Sequence, residues 1–290
     1  MSLPKQAVLI GPANDVRKAV QERLAALGLR CVVDEGGRAE SVLRTTRRVV
    51  LVLIDGRSAI ENVAWVKWAK DAHPQAAIAW LPPAKNAPGE LRALVTKVID
   101  ETQPQPVLRA AELTLSSALF PPKLVGVLRE AAQVTLQEQF KVTLPPAPAE
   151  LRGDYEPRDE VAVAVAFNSA ALTGHLTLFA TAVMLEELMV DAHRTRSPGE
   201  EIAVELANLV AGHMRSLLLR SLSDFSYKIP VRWSASSRAS MGPPPALVLP
   251  VSRGTQRLWL ELRLNHLDGE ALNQVSEQTI LPTGSLSFLE

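Results

Sequence analysis

Short apolar runs alternate with helical periodicities through the first hundred residues. The runs 7–10, 30–33, 49–54 and 76–81 read as strands, and 16–27 and 60–72 carry the three-to-four-residue spacing of amphipathic helices. Strands buried on both faces read as unbroken apolar runs, and Val49-Val50-Leu51-Val52-Leu53-Ile54 is the clearest of them. The alternation predicts a parallel sheet with crossover helices, an α/β arrangement. One further helix is expected over 89–100. The pattern breaks at Glu101-Thr102-Gln103-Pro104-Gln105-Pro106, where two prolines stand in polar company, so the chain is divided there into domains 1–105 and 106–290.

The second half changes character. Leu124, Val127, Leu128, Ala131, Val134, Thr135, Gln137 and Phe140 form one amphipathic helical pattern led by Pro121-Pro122. The β-rich runs 161–167 and 172–179 flank a turn through Asn168 and Ser169 and predict a hairpin. Thr181 is placed to cap a helix carrying Met184, Leu185, Leu188 and Met189, and strands are expected over 246–251 and 257–264. The Pro-rich stretch 144–149, running on to Gly153 and Pro157, reads as an exposed loop. The stretch 241–245 reads as a rigid connection, and the chain after Leu264 as a polar tail.

The most informative segment begins with Ser197-Pro198-Gly199-Glu200, an S-x-x-E capping box with proline at the first helical position. The helix that follows has two stripes. Ile202, Leu206, Leu209, Val210 and Leu217, with His213 at the margin, are expected to face a core, and Glu201, Glu205, Asn208, Gly212 and Arg215 to face away from it. At about 100° per residue, Glu205 and Asn208 lie about 60° apart, one turn from each other. A carboxylate and a carboxamide thus address one partner together. Gly212 costs about 1 kcal/mol relative to alanine inside a helix, and close approach of another backbone is the expected reason for it.

Composition narrows the function. The chain has 290 residues, 47% of them hydrophobic, enough for two cores. Lysine plus arginine balances aspartate plus glutamate at 31 each, so no broad field draws the protein to nucleic acid or anionic lipid. Its start has no signal-type apolar run, and no stretch reaches the roughly 18 apolar residues of a membrane helix, so membrane insertion is not expected and a cytoplasmic location is. Cys31 is the only cysteine, and the five histidines have no ligand-like spacing, so neither an internal disulfide nor a metal site is expected. No phosphate loop, zinc-protease helix, nucleophile elbow or dinucleotide loop is present.

Asp55 follows the 49–54 run directly, at the carboxyl end of a strand, where open α/β sheets make their ligand crevice. On these residues the first half resembles the flavodoxin-like receiver domain of response regulators, with Asp55 at the place of the phospho-acceptor. Gly11-Pro12-Ala13-Asn14 stands where receivers carry the acidic pair that holds magnesium, and Trp80-Leu81-Pro82 where their fourth strand ends in threonine or serine. Asp55 is therefore read as a vestigial phospho-acceptor, with an ordinary strand-end carboxylate favoured over a working phosphorylation site. The domain is expected to bind rather than react.

The run Glu201, Glu205, Asn208 and Pro230, within Glu205-Leu206-Ala207-Asn208 and Lys228-Ile229-Pro230-Val231, resembles the E-x-x-N signature and following proline of the CheX, CheC and FliY chemotaxis phosphatases. The resemblance covers about 113–264 and implies an α+β, CheX-like domain with one site. It implies hydrolysis of the aspartyl phosphate of a CheY-like receiver, Asn208 orienting the water and Glu205 pairing with a receiver lysine. It also implies no cofactor of its own, magnesium arriving with the receiver substrate, and a homodimer through the C-terminal domain. Glu201 stands where the family favours aspartate or serine, and Pro230 falls about one residue early. Two functions remain open: a phosphatase, or a non-catalytic adaptor that docks receivers or other partners through both domains.

Overall fold

The protein is described by a computed structural model over residues 4–57, 62–82, 89–143, 147–153, 160–191, 199–219, 222–233, 244–253, 256–268 and 272. Its first lobe alternates strand and helix: β1 (Gln6–Ile10), α1 (Asp15–Ala26), β2 (Arg30–Asp34), α2 (Ala39–Thr45), β3 (Val49–Asp55), α3 (Asn62–Ala72), β4 (Ala77–Leu81), α4 (Gly89–Arg92), β5 (Lys97–Val98) and α5 (Pro104–Leu119). The five strands are parallel in the order β2-β1-β3-β4-β5, the doubly wound, flavodoxin-like order. Alternate residues of each strand serve different helix layers. Leu9, Leu51, Leu53 and Ala79 pack with Val20 and Leu24 of α1 and Ala111 and Leu115 of α5. Val8, Val52, Ile54 and Trp80 pack with Leu43 of α2 and Trp65 and Val66 of α3.

One expectation is corrected by the structure. The helix read over 89–100 is a single turn, α4, followed by the short strand β5. The proline pair at 104 and 106, where the division into domains was expected, opens α5, since proline lacks only an N–H that the first helical turn leaves unused. Val107, Ala111 and Leu115 of α5 are buried against the parallel sheet. A division at 105/106 would therefore strip the sheet of one cover, and we propose instead that the lobes divide at Phe120–Pro121.

The second lobe is an antiparallel sheet backed by helices: α6 (Pro122–Phe140), β6 (Glu150–Arg152), β7 (Glu160–Asn168), β8 (Leu172–Thr181), α7 (Ala182–Asp191), α8 (Gly199–Leu218), β9 (Ser226–Tyr227), β10 (Val231–Arg232), β11 (Ala246–Arg253) and β12 (Gln256–Leu267). The strand order is β10-β7-β8-β12-β11-β6, with β9 also paired to β7. The predicted hairpin is β7–β8, closed by Ser169, whose backbone N–H donates to the carbonyl of Leu172 (2.8 Å). Thr181 caps α7 as expected, its hydroxyl accepting from the Met184 N–H (3.2 Å). The capping box at 197–200 begins outside the described residues, as do parts of the 144–149 and 241–245 stretches and most of the tail. Val163, Val165, Leu176, Leu178, Leu260 and Leu262 turn inward against α6, α7 and α8. On the opposite face, Phe179 stacks on Trp259, and Arg263 donates to Glu261 (2.6 Å) in a buried ion pair.

The inner core of the second lobe runs without a break into the α1–α5 layer of the first. Arg23 of α1 donates to Glu112 of α5 (2.6 and 2.9 Å) and to the backbone carbonyl of Leu151 in β6 (3.4 Å). Gly153 lies so close to the end of α1 that a Cβ there would fall 2.1 Å from the carbonyl oxygen of Ala26. If α5 is a structural layer and not a linker, Leu115→Ala will destabilise the protein by about 2–5 kcal/mol, as other core leucine truncations do. A urea titration followed by tryptophan fluorescence measures this; a loss within about 0.5 kcal/mol would mark the position as surface-like.

Candidate functional site

Two places carry candidate chemistry. The first is the carboxyl edge of the parallel sheet, where Asp55 ends β3 and is 4% exposed. Gly11 crosses directly over it with φ +140°, and a Cβ there would stand 2.7 Å from the Asp55 Cβ, so this turn requires glycine on both counts. Arg57 reaches back two residues and grips both carboxylate oxygens, Nε to Oδ1 at 2.8 Å and Nη2 to Oδ2 at 2.6 Å, while Asn14 donates to Oδ2 at 3.0 Å. Asn14 also caps α1, accepting from the Arg17 N–H (2.8 Å). Burial alone would push the Asp55 carboxyl up, but the hydrogen bonds from Arg57 and Asn14 and the Arg57 charge outweigh it and hold the group below its ordinary value.

Arg57 escaped the sequence reading, although an arginine two residues past a strand-end aspartate is the signal that could have found it. Its guanidinium provides a fixed positive charge at Asp55 and uses both oxygens in a bidentate bond, the strongest carboxylate geometry available to a side chain. Among the described residues, no group of three or more His, Cys, Asp and Glu side chains is arranged to hold a metal ion.

The second place is the polar face of α8. Its buried stripe is Ile202, Leu206, Val210, Met214 and Leu218, flanked by Ala203, Ala207 and Ala211. Leu209 and Leu217, expected in the core, lie half-buried, as does His213, which was expected at the margin. His213 instead bridges to α6. Its Nδ1 stands 2.8 Å from the Thr135 hydroxyl, which is itself 2.8 Å from the Ala131 carbonyl. If that hydroxyl donates to the carbonyl, it accepts from Nδ1–H, and His213 is a packing residue between helices.

Burial of the first stripe leaves Glu201, Glu205 and Asn208 exposed, as predicted. The fold brings them to Pro230, which is buried at the edge of β7. With Glu200, Val204, Ile229 and Arg232 they line one groove of about 430 Å³. Arg232 is ion-paired with Glu200 across this groove. The lining thus carries three carboxylates, one arginine already paired with one of them, one carboxamide and an apolar rim. Gly212 meets no foreign backbone: a Cβ there would stand 3.4 Å from the Tyr227 hydroxyl, an ordinary contact, so the expected close approach is not found. Cys31 takes no part, since burial pushes its thiol up to about 11.

No protein-family model matches the chain, and no curated protein matches it in sequence. Solved structures similar to it include CheX from Vibrio vulnificus (17% identity, 49% of this chain and 98% of that one, TM-score 0.41). A second is the CheX–CheY complex with beryllium fluoride and magnesium from Borrelia burgdorferi (14%, 48% and 96%, TM-score 0.39). A third is a CheY-like receiver domain from Methanospirillum hungatei JF-1 (13%, 40% and 97%, TM-score 0.33).

The Asp55–Arg57 contact has a pH signature. A carboxyl lowered in the folded state stabilises above its unfolded value, about 3.9, and that stabilisation is lost as pH falls through the folded value. Asp55→Asn will therefore lower the melting temperature at pH 7. The gap to the parent protein will close as pH falls below about 4, measured by thermal denaturation across pH 3–7.

Proposed function

We propose that the second lobe hydrolyses the aspartyl phosphate of a phosphorylated CheY-like receiver in chemotaxis or related two-component signalling, in the cytoplasm. The observation that carries this reading is the convergence of Glu201, Glu205, Asn208 and Pro230 on one accessible groove. These are the four positions on which the chain resembles the CheX, CheC and FliY phosphatases. Sequence places them on a helix and a distant strand edge, and a shared groove is what a common chemical task requires.

The chemistry asks little of the enzyme. An acyl phosphate already has a good leaving group, so the principal need is a water held in line with the scissile phosphorus–oxygen bond. Water attacks phosphorus, the bond to the aspartyl oxygen breaks, and the receiver recovers its carboxylate as inorganic phosphate leaves. In this scheme the Asn208 carboxamide orients the water and Glu205 pairs with a receiver lysine. The magnesium ion travels with the receiver substrate, and this chain contributes no cofactor. A homodimer through the second lobe belongs to the same proposal.

A second reading, a non-catalytic adaptor, is favoured by the state of Asp55. A lobe whose acceptor carboxylate is clamped by its own arginine is suited to docking and not to phosphoryl transfer. The two readings separate in one experiment on phosphate release from phosphorylated CheY-type receivers. The parent protein should accelerate release, and Asn208→Ala should remove the acceleration by about a hundredfold, the scale of a lost transition-state contact, with stability unchanged within about 0.5 kcal/mol. Glu205→Ala should instead raise KM, leaving kcat nearly intact. Receivers that bind tightly yet keep their full lifetime would leave the adaptor in place of the phosphatase.

A further inference from the structure

Two irregularities of the antiparallel sheet frame the turn end of the β7–β8 hairpin. On one side, Tyr227 pairs with Phe167 and Val231 with Ala164, so four residue steps on the outer strand span three on β7. The Lys228 N–H still donates to the Ala166 carbonyl (2.8 Å), which fixes Lys228 at the start of this β-bulge. On the other side, Leu264 pairs with Gly174 and His266 with Thr173, leaving Asn265 as an extra residue of β12. The backbones close in here: a Cβ on Gly174 would stand 2.1 Å from the Arg263 carbonyl oxygen, so only glycine fits beside the second bulge. Bulges re-aim side chains and are over-represented next to functional sites.

Between the bulges lies a depression of about 470 Å³, within the range of small-molecule sites. Phe167, Leu172 and Leu176 turn into the core, so strand alternation puts Asn168 and Thr173 on the opposite face. These two pair across the hairpin and line the depression with Ser226, Lys228 and Asn265, around the small side chain of Ala166. The Ser226 hydroxyl is committed, donating to the Asn168 carbonyl (3.2 Å). The Lys228 ammonium, the Asn168 and Asn265 carboxamides and the Thr173 hydroxyl make no side-chain hydrogen bond or ion pair among the described residues. None of the described lining residues is acidic, so the charge of Lys228 is uncompensated within the depression.

The chemistry of these four groups defines a ligand. An ammonium only donates and takes one negative charge, whereas carboxamides and hydroxyls both donate and accept, as the hydroxyls of a polyol do. A bare ion on Lys228 would leave the three neutral groups and most of the volume to water. We propose that this depression binds a small organic anion bearing several hydroxyls, a sugar phosphate or sugar acid in class, with Lys228 on the anionic group and Asn168, Thr173 and Asn265 on the hydroxyls. These groups stand on the sheet face turned away from α8, and the inference is independent of the phosphatase reading.

The test is calorimetric titration of the full chain at constant ionic strength with glucose-6-phosphate and with gluconate, against glucose and inorganic phosphate as the separate halves of the ligand. At least one sugar anion should bind more than about tenfold tighter than either half, and the comparison of the two tells whether phosphate or carboxylate is preferred. Lys228→Gln should weaken that binding about tenfold and Asn265→Ala about fivefold, the scale of one charged and one neutral hydrogen bond, with the melting temperature unchanged. Lys228→Arg should keep most of the affinity. Inorganic phosphate binding as tightly as the sugar phosphate would reduce the depression to an ion contact and overturn the proposal. Sugar-anion binding that survives both Lys228→Gln and Asn265→Ala would place the ligand elsewhere on the chain. Failure of both sugar anions to bind at millimolar concentration would likewise overturn it.

Discussion

Helix α8 buries only one of its stripes, and the orientation of the candidate site depends on which. Ile202, Leu206, Val210, Met214 and Leu218 are all removed from water against the inner face of the antiparallel sheet. At roughly 1.5–3 kcal/mol for each fully buried large aliphatic side chain, the helix is fixed in rotation. Turning it by one residue, about 100°, would bring glutamates toward the core, and an unpaired buried carboxylate costs more than any alternative contact there returns. Glu205 and Asn208 are thus held outward by the burial of the other stripe. Pro230 arrives from the other side by an independent route, through pairing of the bulged strand with β7.

The two lobes treat their acidic residues in opposite ways. In the first, Asp55 is buried beneath Gly11 and bound at both oxygens, so any incoming cation must displace a bidentate guanidinium. In the second, Glu201 and Glu205 are exposed and line a groove together with Val204, Ile229 and Pro230. The shared core and the contact of Gly153 with the end of α1 join the lobes.

The alternation of strand and helix, the hairpin, the cap at Thr181 and the two-faced α8 were all legible because each depends on neighbours within a few residues. The helix α5 was not. Its two opening prolines look like a break, and its burial comes from α1, β3 and β4, all far away in the chain. The turn α4 was misjudged for a related reason: its periodicity continues past Arg92, but Lys97 and Val98 pair with β4, and tertiary pairing overrides local preference.

By itself the sequence determined the parallel α/β character of the first lobe, the position of Asp55 at a strand end, and the placing of Glu205 and Asn208 one turn apart. Strand runs and helical spacing are properties of local backbone geometry, which repeats every two or 3.6 residues. Only the tertiary structure decided that Arg57 occupies the oxygens of Asp55, that α5 belongs to the first sheet, and that a bulge sets Ile229 at the rim of the groove. Rotamers, strand register and helix docking are selected by contacts between segments distant in sequence, and no local periodicity encodes them.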